Sequence, residues 1–183
     1  NPCHPYYVLT NNEELSSGTH LVLGAVDSIG MHAFINCDNL IEVVLSDSVT
    51  SIGYCAFSGC TNLTSIILSE NVTTIGCGAF QSCKNLVCVT IPDSVINIED
   101  FVFSGCNSLS KIILPKSVTS IGDYAFPSCD CLSFVYYTGT EEEWAAITIG
   151  SNDDLNSAYI YYNCAISADD ALVYMFDNES ETY

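Results

Sequence analysis

One short pattern, Ala-Phe-x-x-Cys, returns at a fixed interval of 23 residues along this chain. It stands at Ala33-Phe34 with Cys37, Ala56-Phe57 with Cys60, Ala79-Phe80 with Cys83, Val102-Phe103 with Cys106, and Ala125-Phe126 with Cys129. A constant period of this size predicts a solenoid. Such a fold buries its core between neighbouring turns, because one turn cannot cover its own apolar face. It offers a long, regular surface rather than a catalytic pocket.

Each unit divides into a strand, a turn, a second extended piece and a coil. The stretch Leu109-x-x-Ile112-x-Leu114 alternates with a period of two and is rich in β-branched residues, which predicts a short strand. Pro115-Lys116-Ser117 breaks it, as Pro92-Asp93-Ser94 and Ser46-Asp47-Ser48 do in other units. A Val-Thr-x-Ile-Gly segment and the Ala-Phe-x-x-Cys coil follow. Alternation points inward Leu40, Leu63, Leu86, Leu109, Leu132 and Leu155, then Val43, Ile66, Val89, Ile112, Val135 and Ala158, then Leu45, Leu68, Ile91, Leu114, Tyr137 and Ile160. Ile29, Ile52, Ile75, Ile98 and Ile121 form a second layer, with the five Phe residues behind it. A strict period puts Trp144 in the place after Ile121, in a degenerate capping turn. The expected fold is a solenoid of about six leucine-rich turns, with a parallel β-sheet on one face, irregular coil on the other and little helix. With strands ~4.8 Å apart, the turns span roughly 25–30 Å.

The strings SVTSIGYCAFSGCTNLTSIIL, NVTTIGCGAFQSCKNLVCVTI and SVTSIGDYAFPSCDCLSFVYY resemble BspA-like leucine-rich repeats, a subclass also found in treponemal surface proteins. The resemblance covers about residues 24–137. The closing segment YYTGTEEEWAAITIGSNDDLNSAYIYYN is similar to the cap of such proteins from gut Firmicutes. The resemblance implies a secreted or surface-attached protein that binds host or microbial partners and has no catalytic residues. The layout is then an N-terminal cap over 1–23, repeats over 24–137, a degenerate capping repeat over 138–163 and a tail over 164–183. Glu99 in place of Gly, and Val102 in place of Ala, are expected to leave the fold undisturbed. The opening Asn1-Pro2-Cys3 predicts a mature or excised fragment.

Charge narrows the partners. The chain carries 22 acidic residues, no Arg, and only Lys84, Lys111 and Lys116, for a formal charge of −19. No cation cluster exists to displace phosphate counterions, so nucleic acid is excluded as a partner. Docking to anionic lipid is disfavoured for the same reason. No apolar run is long enough to span a membrane. The Ser151-Asn152-Asp153-Asp154 stretch lacks the spaced oxygen ligands of a calcium loop.

Eleven cysteines suggest disulfides, yet Cys37, Cys60, Cys83, Cys106 and Cys129 share one core position, where they can act as small buried hydrophobes, although stacked positions are also close enough for a disulfide. Cys55 and Cys77, in adjoining turns, form the best candidate bridge. Cys88, on the outward face of a strand, is expected to be the most exposed repeat thiol. His32 shares the repeat position of Cys55, but no zinc spacing accompanies the pair, and His4 and His20 lie near the N-terminus. No catalytic residue, cofactor site or metal site is expected, because neither a nucleophile elbow nor a Gly-rich phosphate loop is present. Thr140-Glu141-Glu142-Glu143 reads as a capping box that opens a short helix. Asn62-Leu63-Thr64, Asn71-Val72-Thr73 and Asn178-Glu179-Ser180 fit the glycosylation pattern.

The outward face of the strands is the one surface that carries a functional expectation. A constant period sets two columns there: Glu42, Ser65, Cys88, Lys111, Phe134 and Ser157, beside Val44, Ile67, Thr90, Ile113, Tyr136 and Tyr159. Tyr161 adds a ring at the C-terminal end. Exposed apolar and aromatic patches mark contacts, which makes Val44, Ile67, Ile113, Phe134, Tyr136, Tyr159 and Tyr161 the candidate partner-binding residues. The expected function is non-enzymatic, extracellular, adhesion-type recognition of a protein partner. A glycan-binding module and a structural spacer in a larger surface protein are the alternatives.

Overall fold

The computed structural model describes residues 19–23, 26–166 and 173–175. Most of the expected N-terminal cap and tail, with His4 and Asn178, lies outside these residues. The wide-face strands are β1 (Thr19–Leu23), β3 (Leu40–Leu45), β5 (Ser65–Ile67), β7 (Cys88–Thr90), β9 (Lys111–Leu114), β11 (Phe134–Tyr137) and β13 (Tyr159–Tyr161). Two-residue strands alternate with them: β2 (Ser28–Ile29), β4 (Ser51–Ile52), β6 (Thr74–Ile75), β8 (Asn97–Ile98), β10 (Ser120–Ile121) and β12 (Thr148–Ile149). Two five-residue helices, α1 (Glu141–Ala145) and α2 (Asp153–Ser157), flank β12. A final antiparallel pair, β14 (Cys164–Ile166) and β15 (Val173–Met175), follows.

The wide-face strands form one seven-stranded parallel sheet in the order β1-β3-β5-β7-β9-β11-β13. Val43 pairs with Ile66, Val89 with Ile112 and Ile112 with Val135, as a constant period requires. The inward set is buried as expected through Leu132, Val135 and Tyr137. Behind the sheet, Phe34, Phe57, Phe80, Phe103 and Phe126 stack with successive centroids 5.1, 5.6, 5.6 and 5.4 Å apart and planes within 18°. That spacing is the range in which aromatic pairs attract beyond simple burial.

Backbone bonds fasten coil to coil. The N–H of Phe34, Phe57, Phe80 and Phe103 donates to the carbonyl of Ala56, Ala79, Val102 and Ala125 at 2.6–2.9 Å. Four repeat thiols add a bond of their own. Cys60, Cys83, Cys106 and Cys129 donate from Sγ to the carbonyls of Phe34, Phe57, Phe80 and Phe103 at 3.0–3.2 Å. Cys is selected here because a smaller apolar group leaves a hole and a hydroxyl carries a higher cost of burial. Burial pushes the Cys60 and Cys129 thiols up to about 12, and those of Cys83 and Cys106 well above the ordinary value. Cys37, at the N-terminal end of this column, is disulfide-bonded.

Glu99 leaves the solenoid in place and coincides with one local change, in the narrow ladder. A Cβ placed at Gly53, Gly76 or Gly122 would lie 2.7–2.8 Å from backbone of the preceding turn. Glu99 brings a Cβ to this position, and the narrow ladder parts there, into β2-β4-β6 and β8-β10-β12. The wide sheet continues past it unbroken.

The C-terminal end departs from the period in three ways. Ile149, not Trp144, pairs with Ile121, because α1 is inserted between them. Trp144 instead packs edge-on against Tyr137, with centroids 5.3 Å apart. Thr140 caps α1 through the expected capping box with Glu143. Next, α2 replaces the Phe-bearing coil. Asn152, buried at its N-terminus, stands in for a missing turn. Its Oδ1 accepts from Phe126 N–H at 3.1 Å and its Nδ2 donates to Gly122 O at 2.8 Å. Asp154 Oδ2 likewise accepts from Cys129 N–H at 3.1 Å. Last, the final strand is displaced by two residues, so that Val135 pairs with Ile160 rather than Ala158. Ala158 and Ile160 are half-buried against the core.

Candidate recognition surface on the sheet

The parallel register defines two outward columns. The first runs Glu42, Ser65, Cys88, Lys111, Phe134, Tyr159. The second pairs Val44 with Ile67, then carries Thr90, Ile113, Tyr136 and Tyr161. The two-residue displacement thus corrects the expected columns at their C-terminal end. Tyr159 lies beside Phe134 in place of Ser157, and Tyr161 lies beside Tyr136 in place of Tyr159.

Four rings meet as a result. Phe134 lies 6.4 Å from Tyr159, 6.3 Å from Tyr136 and 6.1 Å from Tyr161, centroid to centroid. Tyr136 and Tyr161 stack at 5.3 Å with planes 14° apart. Tyr159 is the most open ring, 72% exposed, and Phe134 is 38% exposed. Tyr136 and Tyr161 are half-buried. Burial raises the Tyr136 phenol, and the neighbouring Tyr161, Cys164 and Cys88 raise it further.

Ile113 does not belong to this surface. It is fully buried, at 0% exposure. Its cross-strand neighbours are Thr90 and Tyr136, so the exposed column is interrupted between Ile67 and the aromatic end. Ile67, with the small Ser65 two residues before it on the same face, stays 53% exposed. Val44 is half-buried. The seven candidates therefore form one aromatic cluster, a separate aliphatic spot at Val44 and Ile67, and a core residue.

The other sequence candidates disperse. His32 packs edge-on against Tyr54 at 5.3 Å. Among the described residues, no group of three or more His, Cys, Asp and Glu side chains is placed to hold a metal ion. Cys55 and Cys77 are both free thiols, although Cys55 N–H donates to Cys77 O at 3.0 Å. Cys88 is half-buried, with its thiol raised by burial and partly lowered by Lys111. Among the described residues, Cys131 rather than Cys88 is the exposed thiol. The amides of Asn62 and Asn71 donate to the carbonyls of Asp38 and Asp47, both at 2.8 Å. Sequence reasoning missed Asn152, whose role only the local geometry of the last turn reveals.

The profile of the BspA type leucine rich repeat region matches residues 27–167 in six copies. No protein with a curated description matches the chain. Solved structures do. A leucine rich cell surface protein from Faecalibacterium prausnitzii A2-165 is 34% identical with a TM-score of 0.71, over 76% of this chain and 38% of that one. The leucine rich repeat protein of T. pallidum is 32% identical with a TM-score of 0.64, over 76% of this chain and 72% of that one. A leucine-rich repeat protein from Bacteroides ovatus is 26% identical with a TM-score of 0.61, over 79% and 42%. This chain thus spans well under half the length of the Faecalibacterium protein. Among the described residues, no helix is long and apolar enough to cross a membrane. With its repeat register, stacked Phe column and parallel sheet all in place, the chain belongs to the BspA-type leucine-rich repeat family, whose architecture suggests an interaction or recognition module.

Proposed function

We propose that the chain is a non-enzymatic, extracellular, adhesion-type module that recognises a protein partner through the C-terminal end of its sheet. The observation that carries this reading is the four-ring cluster of Phe134, Tyr136, Tyr159 and Tyr161, assembled by a two-residue displacement of the last strand. Aromatic residues anchor protein interfaces because they bury large area at low entropic cost. Cys88 and Lys111 continue the column away from the cluster, and Lys111 and Ser65 supply the polar rim that such interfaces have. The description of the Faecalibacterium relative as a cell surface protein supports the location.

A glycan is the second reading, favoured by the nearly parallel Tyr136–Tyr161 pair and the open Tyr159 ring. Sugar sites also place carboxylates or amides beside the rings. Along the outward columns the only carboxylate is Glu42, four strands from Phe134, so the protein reading is preferred.

The test is to screen the folded chain and a Phe134→Ser/Tyr159→Ser variant against parallel protein and glycan arrays. A protein ligand kept by the parent and lost by the variant supports the proposal. A glycan lost by the variant replaces it with the second reading. Ligands shared equally by both chains remove the sheet face from consideration and favour the spacer.

A further inference from the structure

A second pair of exposed rings lies on the coil side of the solenoid, across the core from the sheet. Phe101 and Tyr124 occupy the same position in consecutive turns. Their rings stack with centroids 5.6 Å apart and planes 17° apart, while remaining 38% and 51% exposed. Both residues have left-handed backbone, with φ of 57° and 54°. That conformation belongs to the turn, since Gly78 adopts φ 64° at the same repeat position. Glycine is the relaxed residue there, and bulky side chains are rare in this region. The chain therefore holds two large rings where backbone energetics favour none.

Carboxylates flank the pair. Asp100 and Asp123 immediately precede the two rings, and Glu99 precedes Asp100, all three exposed. Both aspartates are fixed in place. Asp100 Oδ1 accepts from Asp123 N–H at 2.7 Å, and Asp123 Oδ1 accepts from Ser151 N–H at 2.9 Å. Among the described residues, neither Oδ2 accepts a hydrogen bond. No lysine shares this part of the turn: Lys111 is on β9, Lys84 follows the Cys83 coil position and Lys116 lies in the turn after β9. Cys77, one turn back, senses the negative charge of Asp100 and Glu99.

We propose that the ridge of Glu99, Asp100, Phe101, Asp123 and Tyr124 is a second recognition surface, which takes an arginine-bearing segment of a protein partner. The argument for this occupant is charge complementarity joined to shape. A guanidinium is planar, stacks on aromatic faces and donates in a fork to carboxylate oxygens, which an ammonium does not. Rings beside oriented carboxylates match both properties. This surface is separate from the sheet cluster and stands or falls independently of it.

The test is fluorescence anisotropy at physiological salt with a labelled oligoarginine peptide and an oligolysine of equal length. The parent should bind the arginine peptide about ten-fold more tightly than the lysine peptide, the scale of one or two stacked cations. Phe101→Gly/Tyr124→Gly should lose that preference with its melting temperature unchanged or raised, since glycine suits the backbone. Asp100→Asn/Asp123→Asn, which keeps an acceptor for each backbone N–H, should weaken arginine binding about ten-fold. Phe134→Ser/Tyr159→Ser should bind like the parent. Equal affinity for the two peptides overturns the proposal, because net charge alone then explains binding. So does undiminished binding in either the glycine or the asparagine variant.

Discussion

The middle of the solenoid and its C-terminal end solve the same problem by different means. Between Leu40 and Tyr137 each turn is completed by the next: ring on ring, strand on strand, thiol on carbonyl. From Thr138 onward no equal turn follows in the repeat register, and side chains take over the work of backbone. Asn152 gives Phe126 the acceptor that Ala125 gives Phe103. Periodicity thus makes the middle self-templating, whereas the end is irregular because it must terminate a ladder without leaving buried donors unpaired. The same irregularity, through the shift of β13, builds the aromatic cluster.

The sharpest way to separate the two regions is alkali. Cys60 and Cys129 titrate at about 12 in the fold, against 9.0 for a free thiol. The folded state holds its protons longer than the unfolded one. Their contribution is therefore complete below pH 9 and is lost as pH rises from about 9 to about 12. The loss is up to about 1.4 kcal/mol per pH unit for each thiol. Urea midpoints should be flat below pH 9 and fall steeply above it, and a Cys60→Ala/Cys129→Ala variant should fall less steeply. A flat profile to pH 11 would show that the thiols are not held in a dry column. Below pH 9, alkylation should reach Cys131 first, and Cys60, Cys83, Cys106 and Cys129 only on unfolding.

Phe103→Ala empties the middle of the ring stack, between Phe80 and Phe126. It should cost about 3–5 kcal/mol in chemical denaturation. A loss below about 1 kcal/mol would mean that the stack relaxes to fill the gap, and the comparison between a rigid middle and an adapted end would weaken.

Asn152→Ala tests the end. It removes the acceptor for Phe126 N–H and the donor to Gly122 O together. The expected cost is about 1–3 kcal/mol, with faster amide exchange at Phe126 than at Phe103. Unchanged exchange at Phe126 would show that the capping role belongs to the backbone of α2 instead.

These contrasts match what the sequence made legible. A period of 23 placed every inward residue from Leu40 to Tyr137, because hydrogen bonds between stacked turns allow no slippage. It misplaced Trp144, Ala158 and Tyr159, because helices rise less per residue than strands and so break the count. Ile113 was misjudged for another reason. Alternation gives the face a side chain leaves from, but not how far its neighbours cover it. Cys55 and Cys77 lie in adjoining turns one position out of register and remain free, since closeness between turns does not orient two sulfurs for bonding. The Phe101–Tyr124 pair was readable from the period itself, as two aromatics at one repeat position.

The smallest stability effect should come from the residues argued to matter most for recognition. Tyr159 sits on the last strand of the sheet with its ring largely in solvent, and Phe134 is its partly open neighbour. Replacing both with Ser removes the three ring contacts of Phe134 but empties no cavity, so stability should change by about 1 kcal/mol. A residue kept for the core cannot behave this way, as Phe103 shows by contrast. If the double variant instead loses about 3 kcal/mol or more in urea, the cluster is the solenoid's end plate. The rings would then protect the edge of the core in the way that Asn152 protects its backbone, and the recognition surface would have to be sought on the coil side.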